Sequence, residues 1–161
     1  FRAKLAEDIA SALSAYGKRS AELDDLTGHQ SGGFFRAYRT EGAKYFVLSM
    51  GSMAVEAELA VDLLREQNIA AAGLRLKLFR PFPGEELSRL LPDGATLLVL
   101  DRNHAYGTGG GVLLQEAKAA LYGRGGKIKV AGRSVGVGGT ELTADRMADT
   151  VRELIRETEG A

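Results

Sequence analysis

Residues 73–101, GLRLKLFRPFPGEELSRLLPDGATLLVLD, contain a strand pattern, a helix pattern and a second strand pattern in succession. Residues 73–79 alternate leucine with basic side chains, which predicts a strand with one apolar face and one wet or interfacial face. Residues 85–91 have the composition of a short helix, and residues 96–100 form an apolar strand of the kind covered on both faces. Two strands joined by a helix lie parallel in one sheet, so this segment predicts an α/β fold.

The sequence on either side continues the alternation of strands and helices. Further strands are predicted at residues 34–39, 45–49 and 127–131, and further helices are predicted after Ser52, over residues 112–121 and after Thr143. The hydroxyl of Ser52 is predicted to cap its helix by accepting a hydrogen bond from a first-turn amide, and Thr143 is predicted to cap the last helix. We therefore expect a three-layer α/β/α domain with a five-stranded, mostly parallel sheet.

The beginning of the chain carries no strand pattern. Its apolar side chains fall on one helical stripe, formed by Phe1, Leu5, Ile9, Leu13 and Tyr16. Gly17 is predicted to end this helix, with a short second helix at residues 18–26 and a glycine-rich loop at residues 27–33. We interpret residues 1–33 as a linker helix and loop from a preceding domain, packed on something outside this chain, and residues 34–161 as the domain itself. A helix native to the core of that domain is the alternative.

The composition excludes several classes of site. The 161 residues include 21 Lys and Arg, 21 Asp and Glu, and no Cys. Zero net charge argues against nucleic acid or a membrane surface as partner, and no apolar run reaches the roughly 18 residues of a membrane span. Without Cys the chain cannot ligate an iron–sulfur cluster or form a thiolate zinc site. Because the chain opens on Phe1 rather than Met, we expect a piece of a longer, cytoplasmic polypeptide.

Ligands of parallel α/β sheets gather at the carboxyl ends of strands, where several candidate residues are expected. The backbone amides of Gly51 and Ser52 are a candidate anion site, although a simple turn and helix cap would explain the same pair. Asp101 and Arg102 follow the apolar strand, where they either meet a ligand or neighbouring chain, or hold loops in place. His104 is the acid–base candidate by its ordinary pKa, but a lone loop histidine is usually a plain surface residue.

Two loops carry unusual composition. Arg80-Pro81-Phe82-Pro83 must leave the sheet, because proline cannot donate to a strand ladder. A guanidinium beside rigid prolines and an aromatic ring suits a fixed docking surface or a buried ion pair, and a stiff loop covering the sheet edge is the alternative. Residues 107–111, GTGGG, precede a helix but lack the G-x-G-x-x-G register. We interpret these glycines as allowing loops to bend or another backbone to approach closely.

Four short motifs then occur in order along the chain: Gly51-Ser52, Arg80-Pro81-Phe82-Pro83, Leu100-Asp101-Arg102 and Gly136-Val137-Gly138-Gly139. In this order and spacing the chain resembles the C-terminal part of the alpha subunit of 2-oxoacid:ferredoxin oxidoreductases, the pyruvate:ferredoxin oxidoreductase group. The resemblance extends from Phe1 to about Arg156. It implies a transketolase C-terminal-like domain with a five-stranded mixed sheet, in which the strand at residues 34–39 is antiparallel to the rest.

The resemblance also implies a parent complex. Such a complex decarboxylates a 2-oxoacid such as pyruvate on thiamine diphosphate and Mg²⁺, passes electrons through iron–sulfur clusters to ferredoxin, and transfers the acyl group to coenzyme A. This chain has no Gly-Asp-Gly motif followed by paired asparagines, so no cofactor, metal or catalytic residue is assigned to it. We expect it to be oligomeric and to pack against other domains or subunits through Arg80, Pro81, Phe82, Pro83, Asp101 and Arg102.

Two other interpretations stay open at this point. The chain is a small regulatory module that binds a nucleotide or coenzyme A at Gly51, Ser52 and residues 107–111, or it is the equivalent domain of another thiamine enzyme, such as a dehydrogenase E1 component. The Arg80-Pro81-Phe82-Pro83 motif argues against the second of these.

Overall fold

The computed structural model describes residues 1–29, 33–124 and 127–160. The α-helices of these residues are α1 (Arg2–Thr27), α2 (Met53–Glu66), α3 (Gly84–Leu90), α4 (Val112–Leu121) and α5 (Ala144–Glu159). The strands are β1 (Phe35–Tyr38), β2 (Tyr45–Met50), β3 (Ala71–Leu76), β4 (Thr96–Asp101) and β5 (Lys129–Ser134). Short 3-10 turns follow α4 at Tyr122–Arg124 and β5 at Val137–Gly139.

The five strands form one mixed sheet in the order β1-β3-β2-β4-β5. β1 pairs antiparallel with β3, and the other three pairings are parallel. At the centre of the sheet, Val47 of β2 is in register with Gly73 of β3 and Leu98 of β4. This topology confirms the predicted three-layer α/β/α class with five strands, and it confirms that the first strand is the antiparallel one.

The side chains of β4 show how the sheet is covered on both faces. Leu97 and Val99 pack into the cluster formed with α3 and α4, whereas Leu98 and Leu100 pack into the cluster formed with α2 and α5. All four are 0% exposed. Full burial of a leucine-sized side chain contributes about 1.5–3 kcal/mol, so this strand holds both helical layers to the sheet.

Three strands match their predicted ranges to within one residue at each end, and the other two differ by more. The third strand is Ala71–Leu76 rather than residues 73–79, because both of its neighbours end beside Leu76: β2 through Met50 and β1 through Phe35. The last strand is Lys129–Ser134 rather than residues 127–131. It extends further because it pairs with β4 along the whole length of that strand, as far as Asp101.

Gly17 does not end the first helix, contrary to the prediction. α1 runs through it to Thr27 and ends at Gly28, which has a φ of 67° in the left-handed region that favours glycine. A Cβ on Gly17 would lie 3.6 Å from the ring of Phe34, and the rings of Tyr16 and Phe34 stack with centroids 5.5 Å apart. The helix therefore lies on the domain at its middle turns.

The rest of α1 has little support from this chain. None of its residues is buried, and Leu5 and Ile9 are each 48% exposed. This exposure agrees with a linker helix that packs on something outside the chain, and the boundary between residues 1–33 and 34–161 stays a prediction. Residues 30–32 of the predicted loop lie outside the described residues.

Candidate functional site

The carboxyl ends of β2, β3 and β4 surround an open cavity of about 490 Å³. It is lined by Met50, Gly51, Ser52, Met53, Leu76, Lys77, Phe79, Arg102 and Asn103. The fold thus brings together Gly51, Ser52 and Arg102, which the sequence places at the ends of different strands. We refer to this feature as the carboxyl-edge cavity.

Gly51 and Ser52 form the turn from β2 into α2. Gly51 has a φ of 68°, which explains the glycine, and Ser52 already has helical backbone angles of −66° and −35°. The prediction that the Ser52 hydroxyl caps the helix is wrong, since no such bond forms and a capping residue usually has an extended backbone. Thr143 does have that backbone, and its Oγ1 accepts from the amide of Arg146 at 3.4 Å.

Asp101 is buried, does not line the cavity and makes its hydrogen bonds within the domain. The residue is 1% exposed, its Oδ2 accepts from the amide of Leu114 at 3.2 Å, and its Oδ1 accepts from Asn103 Nδ2 at 2.6 Å. Burial raises the pKa of the Asp101 carboxyl, although the hydrogen bonds from backbone amides and from Asn103 oppose the shift. Asp101 therefore makes the contacts expected from the alternative, in which it holds the start of α4 in place, and its interface role stays a prediction.

Asn103 and Ser134 extend this network, and neither residue has a role predicted from the sequence. Asn103 Oδ1 accepts from the amide of Val112 at 2.9 Å, so it also satisfies the first turn of α4. Ser134 Oγ donates to the carbonyl of Asn103 at 2.7 Å and lies 3.2 Å from Nδ1 of the exposed His104. His104 therefore contacts the edge of the Tyr106 ring and a serine hydroxyl that already donates its proton to the carbonyl of Asn103, so His104 accepts no proton from Ser134 in this arrangement.

Two glycines allow this close packing: Gly111 of the glycine-rich loop, for which the sequence predicts a close approach, and Gly132 of β5, for which it makes no prediction. A Cβ on Gly111 would overlap the carboxyl group of Asp101, and a Cβ on Gly132 would lie 2.7 Å from the carbonyl oxygen of Val99. Neither glycine has the positive φ that would explain it by backbone conformation. The space is needed so that α4 and β5 can approach the end of β4.

The Arg80-Pro81-Phe82-Pro83 segment lies between β3 and α3 and contacts α4 through the Arg80 side chain. Arg80 Nη2 lies 2.7 Å from Glu116 Oε1, and the guanidinium lies 4.3 Å from the centre of the Phe79 ring. The Arg80 side chain is 54% exposed, so the predicted ion pair exists but is not buried. Pro81 and Phe82 are half-buried, whereas Pro83 is buried and offers no surface to a partner.

The remaining chemistry of the described residues is limited. Residues 1–29, 33–124 and 127–160 contain no group of three or more His, Cys, Asp or Glu side chains placed to hold a metal ion. Among the helices of the same residues, none has the length and apolarity to cross a membrane.

The chain was compared with known proteins by sequence. The family described as pyruvate:ferredoxin oxidoreductase core domain II matches residues 43–147. Pyruvate synthase subunit PorA of Methanosarcina barkeri is 28% identical over 95% of this chain and 38% of its own length. Ketoisovalerate oxidoreductase subunit VorA of Pyrococcus abyssi is 32% identical over 96% of this chain and 40% of its own length. The chain thus spans about two fifths of these curated relatives.

Solved structures share the fold. A split-gene transketolase aligns with a TM-score of 0.55 and 20% identity, covering 74% of this chain and 41% of that one. The 2-oxoglutarate:ferredoxin oxidoreductase of Magnetococcus marinus aligns with a TM-score of 0.53 and 17% identity, covering 82% of this chain and 21% of that one. These likenesses confirm the transketolase C-terminal-like fold. The match over residues 43–147 shows that the chain belongs to the family of pyruvate:ferredoxin oxidoreductase core domain II.

Proposed function

We propose that this chain is a non-catalytic assembly and interface domain in the alpha subunit of a 2-oxoacid:ferredoxin oxidoreductase. The parent complex would oxidatively decarboxylate a 2-oxoacid such as pyruvate on thiamine diphosphate, form an acyl-CoA and pass the electrons to ferredoxin. Two observations support this proposal: the family match over residues 43–147, and relatives that are named subunits of pyruvate synthase and ketoisovalerate oxidoreductase.

The residues present do not fit the cofactors of such a complex. A magnesium–diphosphate site needs accessible carboxylate or amide oxygens, but Asp101 is 1% exposed and no carboxylate is among the described residues that line the carboxyl-edge cavity. An iron–sulfur cluster needs thiolates, and the 161 residues contain no Cys. We therefore assign the thiamine diphosphate, Mg²⁺ and iron–sulfur sites to other parts of the complex, and we derive no catalytic step through this chain.

The architectural role is carried by one observation: polar side chains at the carboxyl edge of the sheet make their hydrogen bonds within the domain. Asp101, Asn103 and Ser134 lie where α/β domains commonly bind ligands, yet each bonds to a backbone group or to another member of this set. They fix α4 and the loops around it. A rigid edge of this kind suits a domain that holds other domains in fixed positions around a cofactor site. Such positions matter because misplacing a reacting group by about 1 Å can cost about a hundredfold in rate.

The partners in this proposal are the other domains and subunits of the oxidoreductase, with ferredoxin reached through the complex. We place the complex in the cytoplasm as an oligomer, with no role for nucleic acid or membrane. The half-buried Pro81 and Phe82 and the exposed Arg80 and Arg102 are the surface residues from the predicted interface set.

Two measurements test the proposal. Native purification of the alpha subunit should yield a heteromer with sister subunits that reduces ferredoxin when given a 2-oxoacid and coenzyme A. Calorimetric titration of thiamine diphosphate with Mg²⁺ into the 161-residue chain should give no tight binding. Saturable binding of thiamine diphosphate, a nucleotide or coenzyme A to the chain alone would instead favour the ligand-binding module.

A further inference from the structure

Most basic side chains on the described surface of the sheet domain have a partner. Those in contact with a carboxylate oxygen include Arg39, Lys44, Arg80, Arg89, Lys127, Arg133 and Arg152. The side chains of Arg75, Lys118 and Arg156 have no hydrogen-bond or ion-pair partner in residues 1–29, 33–124 and 127–160, and the same holds for Lys77 and Arg102. Both are exposed.

These two cations line the same carboxyl-edge cavity. Lys77 follows β3 and Arg102 follows β4, so the strands β3 and β4, which flank β2, deliver one positive charge each. No carboxylate is among the described residues that line the cavity. The positive charges of Lys77 and Arg102 are therefore not neutralised by any described residue that lines the cavity.

The base of the cavity is apolar. Met53 and Leu76 are 6% and 4% exposed, and the half-buried Met50 and Phe79 complete the apolar lining. Two flexible methionine side chains allow such a surface to adapt to a partner. An inorganic phosphate would neutralise the cations but leave this apolar surface in water, whereas a peptide segment would cover both.

The Arg102 side chain passes close to the loop that follows β5. A Cβ on Gly136 would lie 3.6 Å from Arg102 Nε, and this contact leaves the charge of the guanidinium without a partner among the described residues. By contrast, the neighbouring Arg80 is engaged by Glu116 and the Phe79 ring. The unpaired positive charge at this edge thus belongs to Lys77 and Arg102.

We infer that the carboxyl-edge cavity receives an acidic segment of a partner subunit, with an apolar side chain on the Met53 and Leu76 surface and carboxylates at Lys77 and Arg102. The occupant is identified by charge complementarity with the two unpaired cations and by the apolar lining between them. This inference rests on the proposed function, because it needs a partner subunit, and it adds the chemistry of that partner's contact.

The test uses the complex assembled from the full-length alpha subunit and its sister subunits. The double variant Lys77→Glu with Arg102→Glu should weaken association at least about tenfold at low salt, since carboxylates would then face carboxylates. Raising the salt should weaken the wild-type complex and should have much less effect on the variant. Lys118→Glu is the matched control, because Lys118 is an exposed basic residue on α4 outside the cavity, and it should leave association unchanged.

The outcomes separate this inference from the proposed function. A double variant that assembles with wild-type affinity and wild-type salt dependence overturns the inference and leaves the proposed function intact. A wild-type alpha subunit that binds no sister subunit overturns both. Saturable binding of inorganic phosphate to the wild-type chain, lost in the double variant while assembly is unaffected, would show a small-anion site and also overturn it. Circular dichroism of the variants should match wild type, because both substituted side chains are exposed.

Discussion

Gly111 and Asp101 are packed so closely that no side chain larger than hydrogen fits between them. A Cβ on Gly111 would overlap the Asp101 carboxyl group, whose oxygens accept from the amide of Leu114 and from Asn103. The carboxylate of Asp101, at the end of β4, therefore caps the first turn of α4, and only glycine at position 111 leaves room for this contact. This contact connects the buried strand β4 to the start of α4.

Gly111→Ala should destabilise the domain by about 2–4 kcal/mol, because the added methyl group forces either α4 or Asp101 to move. The free energy of unfolding from urea titration measures the loss. Gly123→Ala is the control, since nothing lies within 4 Å of its Cβ position and its φ is not positive, so its effect should stay within about 0.5 kcal/mol. Equal effects of the two substitutions would contradict the packing argument.

Asp101 should make the domain's stability depend on pH. Burial raises the pKa of this carboxyl above 3.8 in the folded protein, so the folded state binds the proton more tightly than the unfolded state. The resulting stabilisation is complete below pH 3.8 and is lost as the pH rises through the raised pKa. The Asp101→Asn variant should not lose stability over this pH interval, because its side chain does not titrate, while its amide oxygen can still accept from the amide of Leu114. Urea titrations of both proteins across the interval measure the difference.

Glu159 supplies a control of opposite sign for that experiment. Hydrogen bonds from Lys44 and Tyr45 lower the pKa of the Glu159 carboxyl below 4.5. Its contribution to stability is therefore present above pH 4.5 and is lost as the pH falls through the lowered pKa. Glu159→Gln should remove an acid-sensitive component of stability, and a wild-type pH profile in both Asp101→Asn and Glu159→Gln would show that neither shift is coupled to folding.

The sequence predicts best where one pattern has one structural solution. The apolar run at residues 96–100 fits only a strand covered on both faces, and the helix predicted over residues 112–121 matches α4 as observed. The functional interpretation came from the order of short motifs, of which Arg80-Pro81-Phe82-Pro83 was the most specific. The family match over residues 43–147 supports that interpretation.

Local patterns failed where distant contacts decide the outcome. Gly17 is an ordinary helix terminator by sequence, but its place against Phe34 lets α1 continue past it. The role of Ser134 depends on the pairing of β5 with β4, which brings its hydroxyl to the carbonyl oxygen of Asn103, 31 residues earlier in the chain. An asparagine two residues after a buried strand and just before a glycine-rich loop was the signal available for Asn103.

Phe34→Ala should release α1 from the domain. The Phe34 ring stacks on Tyr16 and covers Gly17, and no residue of α1 is buried, so few other contacts would hold the helix. Limited proteolysis should cleave residues 2–27 faster in the variant. The urea midpoint of the sheet domain should fall as well, because Phe34 also packs against the core cluster formed with α3 and α4. Tyr122→Ala, which removes a ring that is 91% exposed, serves as the control. Unchanged cleavage within α1 would show that this helix has support from elsewhere.

Arg80→Ala should weaken assembly of the parent complex more than it alters affinity for the 2-oxoacid. The guanidinium lies 2.7 Å from Glu116 of α4 and stacks on Phe79, so its loss detaches the loop between β3 and α3 from α4 at the proposed interface. We expect association to weaken about tenfold, which corresponds to about 1.4 kcal/mol, with the KM for the 2-oxoacid within about twofold of wild type. Arg89→Ala removes another exposed, carboxylate-paired arginine, outside the predicted interface set, and should leave both unchanged. Intact assembly with a much higher KM would place Arg80 at the substrate site and refute the interface role.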